Sequence, residues 1–202
     1  MDRDRELLKV AERGEVACRV YSWEGPWVTL GKFQSPNVDL IGEIPWVMRP
    51  TGGKAVLHGH DATIGLAVSM ARIGCSPRDV KRAYRIMARP IVEALRWCGL
   101  SAALAEETSF AGGRALVADF FAVNSPNDIV DEATGQKVCG CAMAIADGLI
   151  LVQASIPNGP PMVDPGTIFK DPSPNVGPAW DSSSLATHLE AALRYNFANV
   201  CT

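Results

Sequence analysis

Nowhere in these 202 residues is there a run of about 18 apolar residues, so nothing in the sequence reads as a membrane-spanning helix. A basic stripe is missing too. The 19 lysines and arginines are outnumbered by 22 aspartates and glutamates, and the formal charge of −3 argues against nucleic acid as the main partner. Cysteine is sparse and scattered, at positions 18, 75, 98, 139, 141 and 201, in no disulfide framework. Those cysteines and the histidines 58, 60 and 188 also lack the spacing of a zinc site. The opening Met1-Asp-Arg-Asp-Arg-Glu6 is charged where a secretory leader would be apolar. Together these absences predict a cytoplasmic protein with reduced thiols that binds neither membrane nor nucleic acid.

What is present is ordinary globular chemistry. Hydrophobic residues make up 48% and charged residues 20%, enough for a sizeable core. The length suits one domain over 1–202, and no internal repeat is evident. A short helix is expected over 2–12. Strands are expected over 17–23 and 27–33, around the Glu24-Gly25-Pro26 turn, and over 46–49. Runs 54–58 and 62–70 read as a strand pair around Gly59-His60-Asp61. The clearest helix has Ser76 as N-cap, Pro77 at its first position and Gly99 as its stop. Val80, Tyr84, Met87, Ile91, Leu95 and Cys98 share one face of it, and Pro90 should kink it.

Beyond Gly112-Gly113, runs 115–123 and 128–131 read as extended. Strands 138–146 and 149–156 flank Asp147-Gly148, a strong hairpin signal. The proline-rich stretch from Pro157 to Trp180 reads as a surface crossing or lid, and Asp181-Ser-Ser-Ser184 caps a last helix with Leu185, Leu189, Ala192 and Leu193 inward. The predicted class is α/β (α+β): a central mixed, largely antiparallel sheet flanked by helices. Trp23, Trp27 and Trp46 are expected in the core or along a tunnel wall.

Two stretches carry chemistry. In Arg49-Pro-Thr-Gly-Gly-Lys-Ala-Val-Leu-His58, adjacent glycines allow a ligand close to the main chain, and exposed N–H groups suit phosphate or carboxylate oxygens. Lys54 adds a point charge and Arg49 a planar fork of donors. His58 either orients a ligand or caps the turn. In the second stretch, Asn127-Asp128 opens a strand and Lys137 opens the next, after a Gly135 turn. On a rigid strand Lys137 could donate to an oxygen as charge develops there, and Asp128 could accept from a ligand or help hold a cation. Either stretch alone also fits a plain hairpin with a polar tip. Cys139 and Cys141 read as small packing residues.

Together, and in this order, these stretches resemble the lipoate-protein ligase and octanoyltransferase family, with the biotin ligases as distant relatives. Met1–Leu8 is similar to its opening helix, and Arg19-Val-Tyr-Ser-Trp23 with Val28-Thr-Leu-Gly-Lys-Phe-Gln34 to its first strand pair. The Arg49–His58 stretch resembles its glycine-rich signature, Gly135–Ala142 its lysine strand, and Leu151–Ile156 the strand after it. The resemblance implies a class II synthetase-like catalytic domain with an acyl tunnel. Arg49, Thr51, Gly52, Gly53, Lys54, Ala55, His58 and Gly140 would line the acyl and phosphate site, and Lys137 would be catalytic, holding the acyl carbonyl. In ligases Asn127 and Asp128 would meet ATP, with Asp128 on Mg²⁺.

The implied reaction places lipoate or octanoate on a lysine of a lipoyl domain, from a 2-oxoacid dehydrogenase or a glycine cleavage H protein. Ligases use ATP and an acyl-adenylate; transferases take octanoate from an acyl carrier protein, usually through a cysteine. The position of that cysteine corresponds here to Asp119 in Ala118-Asp-Phe120, which favours the ligase route. Many ligases add a C-terminal accessory domain; this chain is read as lacking one, so that a separate accessory subunit would supply it. A family member that binds an acyl chain or a lipoyl domain without turnover is the second reading.

Overall fold

The computed structural model describes residues 2–110, 128–172 and 177–198. Its elements, in chain order, are α1 (Asp2–Ala11), β1 (Ala17–Tyr21), β2 (Trp27–Leu30), α2 (Pro36–Asp39), β3 (Trp46–Met48), β4 (Val56–His58) and β5 (Asp61–Ser69). There follow α3 (Val80–Trp97), β6 (Ala102–Leu104), β7 (Ile129–Asp131), β8 (Lys137–Ala146), β9 (Leu149–Pro157) and α4 (Leu185–Ala198). The strands form a six-stranded antiparallel sheet, β1-β5-β9-β8-β7-β6, and a smaller sheet, β3-β2-β4, in which β2 and β3 run parallel. The mixed, largely antiparallel class is as the sequence implies.

The large sheet works with two faces, because side chains alternate along each strand. Ile64, Leu66 and Val68 of β5 and Val152, Ala154 and Ile156 of β9 meet α3 and α4 in the main core. The opposite face carries Thr63, Gly65 and Ala67, registered against Ser155, Gln153 and Leu151. α1 covers part of that second face, burying Ala11 against Ala67 and Leu151. The small sheet has its own core of Val28, Leu30, Ala55 and Leu57, closed by Ile168 and Phe169. The proline-rich stretch is therefore more than a surface crossing: it supplies part of that core and the short 3₁₀ turn Pro165–Thr167.

Local chemistry explains most element ends. Asp147 and Gly148 both take positive φ, 52° and 76°, so β8 and β9 close in a two-residue turn whose twist matches the strands. After α3, Gly99 sits at φ 86° while Leu100 N–H bonds Leu95 O and Gly99 N–H bonds Arg96 O, a Schellman stop.

Three expectations are corrected. Runs 54–58 and 62–70 do not pair: β4 joins β2 in the small sheet, whereas β5 lies between β1 and β9. The α3 helix starts at Val80, not at Ser76-Pro77. Asp79 Oδ2 accepts from both the N–H and the hydroxyl of Ser76 at 2.8 Å, closing a turn before the helix. Val80 is accordingly exposed, as is Trp46, while Tyr84, Met87, Ile91 and Leu95 are buried. The helix continues through Pro90. Run 115–123 lies outside the described residues.

Candidate acyl-transfer site

A narrow cleft of about 330 Å³, its open mouth included, lies between the two sheets. Thr29, Arg49, Val56 and His58 line it from the small sheet; Tyr21, Thr63, Gly140, Ala142, Gln153 and Ser155 from the large one. Many of these are polar, yet their polar atoms are largely occupied with each other. The Asp61 carboxylate accepts from Ser155 Oγ at 2.6 Å, His58 Nδ1 at 2.7 Å, Thr63 Oγ1 at 3.0 Å and Gly59 N–H at 3.2 Å. Because a carboxylate only accepts, Nδ1 of His58 carries hydrogen, and Nε2 faces Thr29 Oγ1 at 2.9 Å. Trp23 stacks on the imidazole, with centroids 4.5 Å apart.

Burial by itself would raise the Asp61 pKa. The charge of His58 and the hydrogen bonds from His58, Ser155 and Thr63 outweigh it and hold the carboxyl below the usual range. A depressed folded-state pKa stabilises the fold above the unfolded value, about 3.9, and that contribution is lost as pH falls through the folded value. Asp61→Asn is expected to lower stability by about 2 kcal/mol at neutral pH. The gap to the parent should shrink as pH drops below about 4. Urea midpoints at the two pH values check this, and an unchanged gap would contradict the role given to the carboxylate.

The glycine loop is held from within. Arg49 is buried, and its guanidinium donates to Thr29 O at 2.9 Å, Thr29 Oγ1 at 3.2 Å, Gly52 O at 2.8 Å and Lys54 O at 2.5 Å. Burial pulls its pKa down to about 10. The expected ligand-facing fork is thus a scaffold for the loop, since the carbonyls of residues 52 and 54 take the donors it would have offered. Gly53 takes φ 89°, and a Cβ on Gly31 would come 1.9 Å from Gly53 O. That close approach requires glycine at 31. Gly31→Ala is expected to cost about 1–3 kcal/mol through overpacking, read from thermal melts, and to displace the loop.

Lys137 reaches the cleft side of the sheet through a bulge. Ile129 pairs with Cys139, but Val130 pairs with Lys137, so β8 carries one extra residue, Val138. Paired residues share a face, and Lys137 therefore stands on the side of Val130, opposite Cys139. Gly140, two registers on, stands on that same side against Ser155. Lys137 is buried with its Nζ 2.8 Å from Asp128 Oδ2. Cys139 and Cys141 face the helix core, as packing residues, and burial raises the Cys139 thiol well above its ordinary range.

Of the residues named from the sequence, the structure brings Arg49, His58 and Gly140 to the cleft, with Thr51 tied to its edge by a 2.8 Å hydrogen bond to Gln153. Gly52, Gly53, Lys54 and Ala55 follow in the same loop. Lys137 and Asp128 form a buried pair that is not among the lining residues. Asn127 and Asp119 lie outside the described residues. Sequence reasoning missed Asp61, Gln153 and Asp4. The polar Gln153 and Ser155, alternating on an otherwise apolar β9, were the available signal.

The molecule thus presents an α+β fold with a narrow cleft between two sheets, a glycine loop on one wall and a buried lysine on a strand of the other. Residues 1–168 match the lipoyl protein ligase A/B catalytic domain, and the chain belongs to that family. Octanoyltransferase LipM of Anoxybacillus flavithermus is 32% identical over 170 residues, covering 77% of this chain and 59% of the relative. The chain thus spans about three fifths of that relative's length. Among solved structures, a bi-partite lipoate protein ligase from Thermoplasma acidophilum, studied with its E2 lipoyl domain, superposes with a TM-score of 0.65 at 17% identity. The match covers 97% of this chain and 78% of that one. Lipoate-protein ligase A bound with ATP gives 0.67 at 22% identity, covering 91% and 73%. At these identities the likeness is one of fold. Among the described residues no helix is long and apolar enough to cross a membrane.

Proposed function

We propose that the protein attaches a lipoyl or octanoyl group to the acceptor lysine of a lipoyl domain, with Lys137 holding the acyl carbonyl oxygen. The observation that carries this is the bulge at Val138, which turns Lys137 out of the apolar core onto the face that carries Gly140. A buried cation kept there against Asp128 is an electrostatic device prepared before substrate arrives. The amine of the acceptor lysine attacks the carbonyl carbon; the negative charge that forms on oxygen meets the ammonium of Lys137, and the activating group leaves.

The favoured activation is ATP-dependent, through an acyl-adenylate. Among the described residues no cysteine lines the cleft, so a thioester on the protein has no thiol there. For such a co-substrate the Gly52-Gly53-Lys54 turn would receive phosphate oxygens. Asp128, the carboxylate expected on Mg²⁺, is instead buried against Lys137, and among the described residues no group of three or more His, Cys, Asp or Glu could hold a metal ion. The second reading, transfer of octanoate from an acyl carrier protein, is favoured by the name of the LipM relatives. Lipoyl domains of 2-oxoacid dehydrogenases or the glycine cleavage H protein are the proposed acceptors, and a separate accessory subunit is a proposed partner, in line with the bi-partite ligase of the same fold.

Incubation with an unmodified lipoyl domain, followed by intact mass, tests both. A lipoyl gain that needs lipoate, ATP and Mg²⁺ supports the ligase; an octanoyl gain from octanoyl carrier protein without ATP supports the transferase. No gain in either tube, with the parent folded and binding an acyl chain, favours a non-catalytic binder.

A further inference from the structure

Asp4 is a fully buried carboxylate that the reaction does not use. It sits over the second face of the large sheet, above Gly65, where a Cβ would come 2.9 Å from its Oδ1. Gln153 Nε2 donates to its Oδ2 at 2.5 Å, Tyr21 hydroxyl donates to it at 3.2 Å, and Arg19 Nε lies 3.0 Å from Oδ1. The other end of the Gln153 amide accepts from Thr51 Oγ1. One glutamine therefore ties the glycine loop to the N-terminal helix. Its orientation is fixed, because the carboxylate needs a donor and the threonine hydroxyl an acceptor.

The strand register says where this bracket stands. Along β8, moving away from Lys137, the cleft-lining residues are Gly140 and then Ala142. Gly140 is registered with Ser155, and Ser155 with Thr63; Ala142 is registered with Gln153, and Gln153 with Gly65. Asp4 stands on that second row. The bracket thus closes the cleft on the side remote from the lysine. Resting on the proposed function, which puts the acyl carbonyl at Lys137, the geometry points to the Gln153–Asp4 bracket as the stop that limits acyl-chain length. A methylene arriving there meets a charge that cannot move aside without breaking its hydrogen bonds from Tyr21 and Gln153 and its ion pair with Arg19, whereas the walls before it are apolar or self-satisfied.

The test is direct binding of straight-chain acids, from butanoate to tetradecanoate, and of their pantetheine thioesters, by calorimetry or native mass spectrometry. In the parent, affinity should rise by roughly fourfold per methylene up to a limit and then fall. Gln153→Ala removes the amide and should move the limit outward by about two methylenes. Ala142→Leu fills the row before the stop and should move it inward, and melting curves confirm that both variants are folded. A limit unchanged in both folded variants, or a parent with no limit, overturns the stop and leaves the proposed function standing. A parent that binds no acyl chain in either form overturns the acyl-site reading and this inference with it.

Discussion

Lys137→Ala is expected to reduce acyl transfer to a lipoyl domain by about 10²–10³-fold, the range for removing one donor from a developing oxyanion. The same change leaves Asp128 buried without its cation, and stability should fall by about 3–5 kcal/mol. The two losses separate in a double variant. Lys137→Met with Asp128→Leu removes both charges and should regain most of the stability, since an apolar pair replaces a buried ion pair at little cost. Its transfer rate should stay at the level of the single variant. Urea midpoints with intact-mass kinetics check the pair, and recovery of transfer in the double variant would refute the role given to Lys137.

Arg49→Ala should be nearly as damaging, for a different reason. Its fork serves Thr29 O, Gly52 O and Lys54 O, so its loss strands three backbone acceptors around the glycine loop. At about 1–3 kcal/mol for each acceptor that water does not reach, a total near 3–5 kcal/mol is expected. Arg49→Lys should recover less than half, because one ammonium cannot span β2 and the loop together. Hydrogen exchange at the amides of residues 52–54 should quicken in both variants. If lysine restores full stability and slow exchange, the fork is not what orders the loop.

Features dictated by neighbours in sequence were legible. The Asp147-Gly148 turn, the Gly99 stop and the inward Leu185, Leu189, Ala192 and Leu193 of α4 all follow from local chemistry. Partner choice was not. Gly59-His60-Asp61 looks like a hairpin turn, yet Asp61 is drawn into the large sheet opposite Pro157 while His58 stays opposite Trp27. No residue within that stretch encodes this, because the partners lie 31 and 96 positions away. The cleft splits the same way: its glycine loop and histidine were legible in the chain, as was the family, whereas Lys137 and Asp128 form a buried pair outside its lining. That Arg49 serves the loop rather than a ligand depends on the carbonyl of a strand twenty residues earlier.

The bulge in β8 also governs how this strand can vary. Orientation along a strand is a matter of parity, so the interval from Lys137 to Gly140 behaves as a counter with two settings. Val138 is the extra residue, so dropping it would leave Lys137 opposite Val130 on the cleft side of a regular ladder; dropping a second residue would turn the ammonium inward toward the helices. The interval therefore tolerates the loss of one residue but not of two. Val138 should accept other apolar side chains freely, and its deletion alone should keep Lys137 on the cleft side, while loss of a second residue should silence the site.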